Sequence, residues 1–289
     1  MSTTNPPALG TLPAGARLAR KDDTPAGLRR VLRMPRWYRI VSPLVLLVIW
    51  QLTNVLSLIS PKKLPPPTRV VSTAVDLVTI NSPAYGTLQH ALLASLERMV
   101  LGFALGATAA VMLATVAGLS RLGEDFVDPI MQMLRTLPLF GLIPVFIVWF
   151  GIGQLPKVLL IALGAAIPLY LNTFAGIRSV DAKLGELGQV LGLRRRELLR
   201  HIVLPGALPL TLVGLRQSLG VAWLSLVVAE QLNTNAGLGF MINQATQFLQ
   251  NDVIFVALLV YTILGLLTDW LVRLLERRTL AWRGGLLAA

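Results

Sequence analysis

Cysteine is absent from this 289-residue chain, and only two histidines occur, His90 and His201. Without cysteine the protein has no disulfide, no thiolate zinc site and no cysteine nucleophile. The two histidines lie far apart in sequence and do not indicate a catalytic or metal site. Charged residues are also scarce, at 14% of the chain, where a soluble globular domain has about 25%. These shortages favour a protein that lies in a membrane over a soluble one.

Hydrophobic residues make up 54% of the chain, and the net charge is +12. A positive charge of this size can indicate a nucleic-acid-binding protein. Here, however, the basic residues stand between long apolar runs, which is typical of charges that orient a protein in a membrane. The composition therefore predicts an all-α integral membrane protein that contacts lipid and binds no nucleic acid.

Six apolar segments are long enough to cross a bilayer, which requires about 20 predominantly apolar residues. They are predicted at residues 40–60, 100–119, 129–150, 158–177, 202–228 and 254–275.

Three prolines are expected to bend or break these spans, Pro138 and Pro144 in the third and Pro168 in the fourth. Broken helices persist in membranes only where protein or a water-filled cavity satisfies the freed carbonyls. Several breaks in one bundle indicate a translocation path, and kinks that serve packing alone are the alternative.

Small residues recur in the second and fourth spans. Gly102 and Gly106 stand four positions apart, and Gly164 is followed by two alanines. Small faces let helix backbones approach closely in lipid. We therefore expect these two clusters to lie in helix–helix contacts.

A polar segment, QLNTNAGLGFMINQATQFLQND, separates the last two spans. It predicts a turn near Gly237, then a short amphipathic helix with Met241, Ala245 and Phe248–Leu249 on one face. Its polarity excludes a full span, so we expect it to lie at the membrane interface or to re-enter the membrane.

An even number of spans puts both termini on one side, and the distribution of Lys and Arg selects that side. Most basic residues fall in segments that share a side with the termini. The opposite segments hold only Lys62, Lys63, Arg69 and Lys157. Both termini are therefore predicted to be cytoplasmic. Residues 1–36 lack the apolar core of a signal peptide and are expected to form a flexible basic cytoplasmic tail.

The loop between the fourth and fifth spans is a basic amphipathic stretch, GQVLGLRRRELLRHIVLP. Leu184, Leu187 and Leu191 recur at helical spacing, which predicts a short helix over residues 181–191. Gly192 is expected to end this helix in the left-handed conformation.

The next turn or two is predicted to point its arginines outward and to keep Leu198 and Ile202 on the apolar side. Pro205 would then stand near the start of the fifth span, where a proline is well tolerated. Two interpretations are open for this helix pair. It binds lipid headgroups through its arginines, or it docks an apolar ridge into a groove on a cytoplasmic partner.

The spacing of this loop resembles the pattern E-A-A-x3-G-x9-I-x-L-P, which is carried by permease subunits of bacterial binding-protein-dependent ABC importers. Leu187 and Gly188 stand where the pattern has two alanines, and the remaining positions match. In that family the loop forms coupling helices that dock onto the ATP-hydrolysing subunit. The resemblance implies that the coupling residues are Glu186, Leu187, Gly188, Leu191, Gly192, Ile202, Leu204 and Pro205.

The resemblance extends from residue 87 nearly to the C-terminus. Stretches such as MLRTLPLFGLIPVFIVWFGIG look like the branch that imports sulfonates, taurine and nitrate, and residues 205–283 most resemble aliphatic sulfonate permeases. The fold implied is that of a type I ABC importer permease, with about six transmembrane helices and a cytoplasmic coupling loop between spans four and five. Its segments are the tail, then 37–86 with the first span, a permease core at 87–280 and a C-terminal tail at 281–289.

The resemblance also implies partners in a bacterial cytoplasmic membrane: two ATPase subunits, a second permease copy in a homodimer, and a periplasmic solute-binding protein. The chain contains no G-x-x-x-x-G-K-[ST] motif, so ATP and magnesium are expected on the ATPase partner. The chain itself is expected to have no cofactor, no metal and no catalytic residue. The solute implied is an aliphatic sulfonate. Taurine, nitrate, bicarbonate and another small solute are the alternatives.

Two other classes of function are open to a chain of this composition. A membrane-embedded enzyme needs converging acids, bases or ligands, and the intramembrane charges show no such spacing. A proton-coupled secondary transporter predicts internal repeats with paired broken helices, and no convincing repeat is found. Copurification with a separate ATPase subunit would distinguish an importer from both.

Charged residues at membrane depth are costly and are therefore candidates for function. Arg98 and Asp269 lie near the predicted span boundaries, so we expect them to reach the interface. A structural ion pair or a contact with a free carbonyl is an equal alternative for the two favoured path residues, Arg135 and Arg216. The full set predicted to line the path is Arg135, Pro138, Pro144, Arg216 and Glu230. For Glu230, at the outer end of the fifth span, a helix cap or a structural ion pair is the alternative.

Overall fold

The computed structural model describes residues 38–82, 84–231 and 234–280. The predicted tails at 1–36 and 281–289 lie outside these residues. Contacts divide the chain into two units, residues 1–49 and 50–289, and the first unit contributes only the beginning of the first helix to the described ranges. Eleven α-helices occur in those ranges: α1 Tyr38–Val55, α2 Pro67–Thr79, α3 Leu88–Leu119, α4 Arg121–Thr136, α5 Ile143–Phe150, α6 Leu155–Arg178, α7 Ala182–Val190, α8 Arg195–Leu198, α9 Leu204–Gln231, α10 Leu238–Gln247 and α11 Asn251–Thr279.

Within the described residues, four helical segments are long and apolar enough to span a membrane: α3, the continuous helix Arg195–Gln231, α6 and α11. They confirm the second, fourth, fifth and sixth predicted spans. The first predicted span is shorter than expected, because α1 ends at Val55 and Ser57 adopts a left-handed φ of 52°.

The third predicted span is a broken pair of helices. The helix begins at Arg121 and not near residue 129, because Ser120 caps it through a hydrogen bond from the Gly123 N–H at 3.0 Å. A 94° bend separates α4 from the segment Leu139–Phe150. This bend confirms the break predicted at Pro138.

The other two prolines do not break a helix. Pro144 lies in the first turn of α5, where a proline removes no helical hydrogen bond. Pro168 lies inside α6, which runs without interruption from Leu155 to Arg178. Only one of the three prolines therefore interrupts a span.

Helix α6 packs between α3 and α9 through the small residues predicted for this role. A Cβ atom on Gly102 would lie 2.7 Å from Cβ of Ile161, and one on Gly164 would lie 2.5 Å from Oγ of Ser225. Both distances are shorter than van der Waals contact, so the helices approach this closely only because these residues are glycine.

The helices place two groups of residues at opposite ends of the second unit. At one end, which we call the loop end, Ile177, Val203 and Ala207 form a buried cluster beneath the loop 179–203. At the opposite end, α10 packs against α3 and α11, and Met241 and Ala245, predicted to share one face, are both fully buried. Phe248 and Leu249 do not share that face, because α10 ends at Gln247 and Leu249 has a φ of 55°.

Candidate functional site

The first half of the loop folds as its sequence predicts. The Asp181 carboxylate caps α7 by accepting a hydrogen bond from the Lys183 N–H at 2.9 Å. The helix ends at Val190, and Gly192 has a φ of +79°. A short helix terminated by a left-handed glycine is therefore confirmed, and the next chain segment leaves α7 in a defined direction.

The second half of the loop differs from the prediction. Helix α8, a π-helical turn at Leu199–Val203 and α9 form one continuous helix, so Pro205 does not stand at the beginning of a new helix. The ring of Pro205 would collide with the carbonyl of residue 201 in a regular α-helix. The wider π turn just before the proline relieves this collision. Arg195, Arg196 and Arg200 thus belong to the same helix as the fifth span, and Arg194 precedes it as the N-cap.

The inner side of the loop is closed by a contact between its two halves. Gly188 is buried, and a Cβ atom there would lie 3.0 Å from Cδ1 of Ile202 and 3.2 Å from Cδ1 of Leu198. Glycine in place of the second alanine of the family pattern therefore lets α7 lie close to the helix that follows. Two predicted coupling residues, Gly188 and Ile202, are brought together in this way.

The outer side of α7 carries large apolar side chains that the described residues leave exposed. Leu187 is 55% exposed and Leu191 is 71% exposed, and Leu184 and Val190 are also exposed. Glu186 lies on the surface of the same helix. Val190 was missed by sequence reasoning, although its spacing of three residues from Leu187 places it on the same side. Exposed apolar groups of this kind mark a contact with a protein or with a membrane.

Arg216, near the middle of α9, forms an ion pair with α11. Its Nε lies 2.6 Å from Oδ1 of Asp269, and Nε of Arg273 lies 2.7 Å from Oδ2 of the same carboxylate. Asp269 therefore has an ion-pair partner on another helix that its sequence position did not indicate, and its reach to the membrane interface stays a prediction.

This ion pair lies in a groove of about 650 Å³ between α9 and α11. The side chains of Arg216 and Asp269 remain 43% and 32% exposed. Trp223 and Thr268 line the same groove, and the indole Nε1 of the first donates to Oγ1 of the second at 3.2 Å. The groove therefore presents charged and polar groups along two otherwise apolar helices.

Glu230, at the opposite end of α9, is fully buried in an ion pair with Arg98 of α3. Its carboxylate also accepts hydrogen bonds from Ser95 Oγ at 2.7 Å, from Tyr261 Oη at 3.1 Å and from the Gly239 N–H at 3.0 Å. Arg98 is only 4% exposed, so the prediction that it reaches the interface is wrong. The cluster joins α3, α9, α10 and α11, which favours the structural alternative for Glu230.

The remaining predicted path residues lie elsewhere. Arg135 is exposed in the last turn of α4, and Pro138 is exposed at the break that follows. Pro144 begins α5. None of the three lines the groove that contains Arg216.

A second cavity, of about 440 Å³, lies beside the Arg98–Glu230 pair. Arg98, Gln154, Lys157 and Asn235 contribute polar groups to its lining. Sequence reasoning counted Lys157 only as a basic residue outside the membrane, yet it is 7% exposed. Its position, two residues into a strongly apolar helix, is the signal that was available in the sequence.

Comparison with known proteins gives matches over most of the chain. Residues 102–281 match the family model described as a binding-protein-dependent transport system inner membrane component. The chain is 44% identical, over 84% of its length and 87% of the relative, to the aliphatic sulfonates transport permease protein SsuC of Bacillus subtilis (strain 168). Identity to the SsuC protein of Escherichia coli (strain K12) is 40%, over 87% of this chain and 93% of that protein.

Two further matches are informative, one to a permease named for a second solute and one to a solved structure with a similar fold. The taurine transport system permease protein TauC of Escherichia coli (strain K12) is 38% identical over 83% of this chain and 87% of its own length. A chain in the crystal structure of an amino acid ABC transporter superposes with a TM-score of 0.54, over 72% of this chain and 96% of that chain. With 16% identity, the latter match is a likeness of fold alone.

Proposed function

The chain belongs to the family of inner membrane components of binding-protein-dependent transport systems, and on this premise we propose that it is the permease subunit of an ATP-driven importer for aliphatic sulfonates. It is an inner membrane protein with the all-α fold of a type I ABC importer permease. The observation that carries the choice of solute is the 44% identity to a sulfonate permease over 84% of the chain. Taurine, the solute named for the next relative, is itself a sulfonate.

Coupling to ATP hydrolysis is assigned to the loop 179–203. The exposed Leu184, Leu187 and Leu191 form an apolar ridge that suits a groove on an ATPase subunit. The packed inner side of the loop supports this role. A well-packed loop transmits a movement of the ATPase subunit to the spans, whereas a flexible loop would not.

The continuous helix Arg195–Gln231 would carry this movement along its axis into the membrane. Its 37 residues extend about 55 Å at ~1.5 Å per residue. A displacement of the loop arginines would therefore be transmitted along this helix, through Arg216 to the Glu230 cluster. We assign the same mechanical role to Leu204 and Pro205, which lie where the loop joins the span.

The solute path is assigned to the groove between α9 and α11. An ion pair that is partly exposed near the middle of two apolar helices is costly against lipid. The groove is therefore expected to face water or protein in the assembled importer, where a second permease copy would complete the path. Arg216 and Arg273 share the carboxylate of Asp269, and these three side chains together carry one net positive charge that favours an anion. A guanidinium stays protonated and presents a planar fork of donors to oxyanions.

The complete importer would contain two copies of this chain, two ATPase subunits that bind ATP and magnesium, and a periplasmic solute-binding protein. The distribution of Lys and Arg supports cytoplasmic termini and a cytoplasmic loop end. The opposite end, with α10 and the Arg98–Glu230 cluster, would then receive the binding protein.

The test is uptake by the reconstituted complex. The permease, its ATPase subunit and its binding protein are placed in proteoliposomes, and accumulation of radiolabelled ethanesulfonate is measured with ATP on the loop side. We expect accumulation that requires all three components and that excess unlabelled sulfonate abolishes. ATP-dependent uptake of nitrate without uptake of sulfonate would overturn the choice of solute. Uptake driven by a proton gradient without the ATPase subunit would overturn the importer itself.

A further inference from the structure

The groove between α9 and α11 has two chemically different ends. One end contains the ion pair of Arg216 and Asp269, and the other is lined by the apolar faces of Trp223, Val227 and Leu258. From Arg216 to Val227 the groove follows α9 for roughly 16 Å at ~1.5 Å per residue. Its volume of about 650 Å³ is typical of a small-molecule site. A solute with a charged head group and an apolar tail matches this order of the lining.

Polar atoms at the apolar end are already engaged within the protein. The hydroxyls of Thr262 and Thr268 donate to main-chain carbonyls of α11, each at 2.9 Å. The Tyr261 hydroxyl donates to Glu230, which lies outside the groove lining. No acidic side chain is among the described lining residues at this end. An ammonium group placed there would therefore lose its hydration without gaining a counterion.

Two glycines leave space beside the ion pair. Gly220 lies about one turn of α9 beyond Arg216, and Gly265 lies about one turn of α11 before Asp269. A Cβ atom on either glycine would have no heavy atom within 4 Å. Unlike the glycines at which α6 packs, these two admit no neighbouring helix of this chain. The space they leave continues the groove from its charged end toward Trp223.

Two contacts fix the Trp223 ring in the groove. Its Nε1 donates to Oγ1 of Thr268 at 3.2 Å, and its ring lies edge-to-face with Tyr261 at a centroid distance of 6.2 Å. Both partners belong to α11, so the indole is held at the contact between the two helices. The ring is half-buried and keeps apolar surface that a solute tail can cover.

We propose that this groove selects alkanesulfonates with an apolar tail, and that Trp223 is a specificity-determining residue. The inference rests on the proposed function and deepens it, because it states which sulfonates the permease itself prefers. The sulfonate oxygens contact the Arg216 guanidinium, and the tail extends past Gly220 along the Trp223 ring. Each methylene of the tail is removed from water there, which strengthens binding about two- to fourfold, the upper value being that for complete burial.

The test is equilibrium binding to the permease–ATPase complex in nanodiscs without the binding protein, so that the selectivity measured belongs to the permease. Radiolabelled butanesulfonate is the probe, and unlabelled methanesulfonate, ethanesulfonate and taurine compete with it. Butanesulfonate should bind at least about eightfold more tightly than methanesulfonate, because its tail is longer by three methylenes. Taurine is ethanesulfonate with an added ammonium group, and it should bind about tenfold or more weakly than ethanesulfonate.

Two variants act on the tail and leave the charged end unchanged. Trp223→Ala removes the apolar surface, and Gly220→Leu fills the space that leads to it. Each should reduce the ratio of butanesulfonate to methanesulfonate affinity to about twofold or less, whereas Trp223→Phe should retain the preference. The matched control is Trp149→Ala, which removes an exposed tryptophan of α5 outside the groove. A ratio of affinities does not depend on the fraction of folded complex, so partial instability of a variant does not change it.

The proposal is overturned by equal binding of methanesulfonate and butanesulfonate, or of ethanesulfonate and taurine, in the wild type. A chain-length preference that survives in Gly220→Leu, or an equal loss of preference in Trp149→Ala, also overturns it. If the second permease copy fills the groove, no chain-length preference is seen and Trp223→Ala weakens assembly instead, which size-exclusion chromatography detects. If Trp223→Ala fails to assemble, Gly220→Leu decides the question.

Parallel uptake measurements separate this inference from the proposed function. ATP-dependent sulfonate uptake by a complex whose binding shows no chain-length preference would refute the selective groove and leave the importer in place. Binding that prefers butanesulfonate through Trp223, without uptake of any sulfonate, would support the groove and refute the proposed function.

Discussion

Replacing Glu230 by glutamine removes a negative charge from the most deeply buried ion pair described in this protein while keeping the side-chain shape. The carboxylate is fully buried, and Arg98 opposite it is 4% exposed. In the variant, Arg98 would keep its hydrogen bonds to Gln154 and to the carbonyl of Ala236 at 2.8 Å. Its charge would have lost its buried counterion.

The expected loss is large because the remaining cation cannot reach water. Breaking a buried ion pair by removing one partner destabilises a protein by about 3–5 kcal/mol. The glutamine NH2 group would also face the donors of Ser95, Tyr261 and Gly239 unless it rotates toward Arg98, so neither orientation satisfies every partner. At roughly 2–4 °C per kcal/mol for a chain of this size, we expect the unfolding midpoint to fall by about 6 °C or more.

Thermal unfolding of the purified permease–ATPase complex in detergent measures this effect. The matched control is Asp252→Asn, which breaks the exposed pair of Arg69 and Asp252, 3.2 Å apart at the same end of the bundle. An exposed pair contributes about 0–1 kcal/mol, so the control should shift the midpoint by no more than a few degrees.

The two alternatives for Glu230 give different results in this experiment. A structural role predicts lost stability, with uptake per folded complex largely retained. A path role predicts normal stability and impaired uptake. A midpoint for Glu230→Gln within about 2 °C of the wild type, together with normal uptake, would refute both the energetic reasoning and the path prediction.

Three further predictions concern the loop, the orientation and the path. Gly192→Val should strain the left-handed residue that ends α7 and abolish the stimulation of ATP hydrolysis by the loaded binding protein. Gly86→Val strains a similar φ of +73° away from the loop and should leave stimulation intact; equal stimulation in both variants would contradict the coupling role. Reporter fusions at Arg195 should give a cytoplasmic signal and those at Asn235 a periplasmic one, and the reverse pattern would exclude docking to an ATPase. Arg216→Gln should slow sulfonate uptake severalfold with basal ATP hydrolysis unchanged; a complex that fails to assemble would instead indicate a structural ion pair.

Local features were predicted well because their causes are local. Hydropathy over about 20 residues is sufficient to find a membrane helix, and four long helices lie where it placed them. The periodicity of Leu184, Leu187 and Leu191 and the backbone requirement at Gly192 act within a few residues, so α7 and its end were also found.

Errors of the prediction arose where a neighbouring turn or an unexpected cap overrode a local signal. Pro205 was expected to begin a helix, yet a π turn lets the helix continue through it. The polar first turns of α4 were left out of the third span, because Ser120 caps a helix that hydropathy does not detect.

The sequence by itself determined that the chain spans a membrane, that its basic residues cluster between apolar segments, and that a short helix forms in the loop at 182–190. Only the tertiary structure decided which charges meet. Arg98 and Glu230 are separated by 132 positions, and Arg216 and Asp269 by 53. Composition and periodicity describe which helix face a residue shares with its near neighbours. The partner of a buried charge depends instead on which helices pack together and on how they are aligned along their axes. That packing placed Arg98 and Asp269 in ion pairs with partners on other helices, and it brought Lys157 to the lining of a cavity beside Arg98.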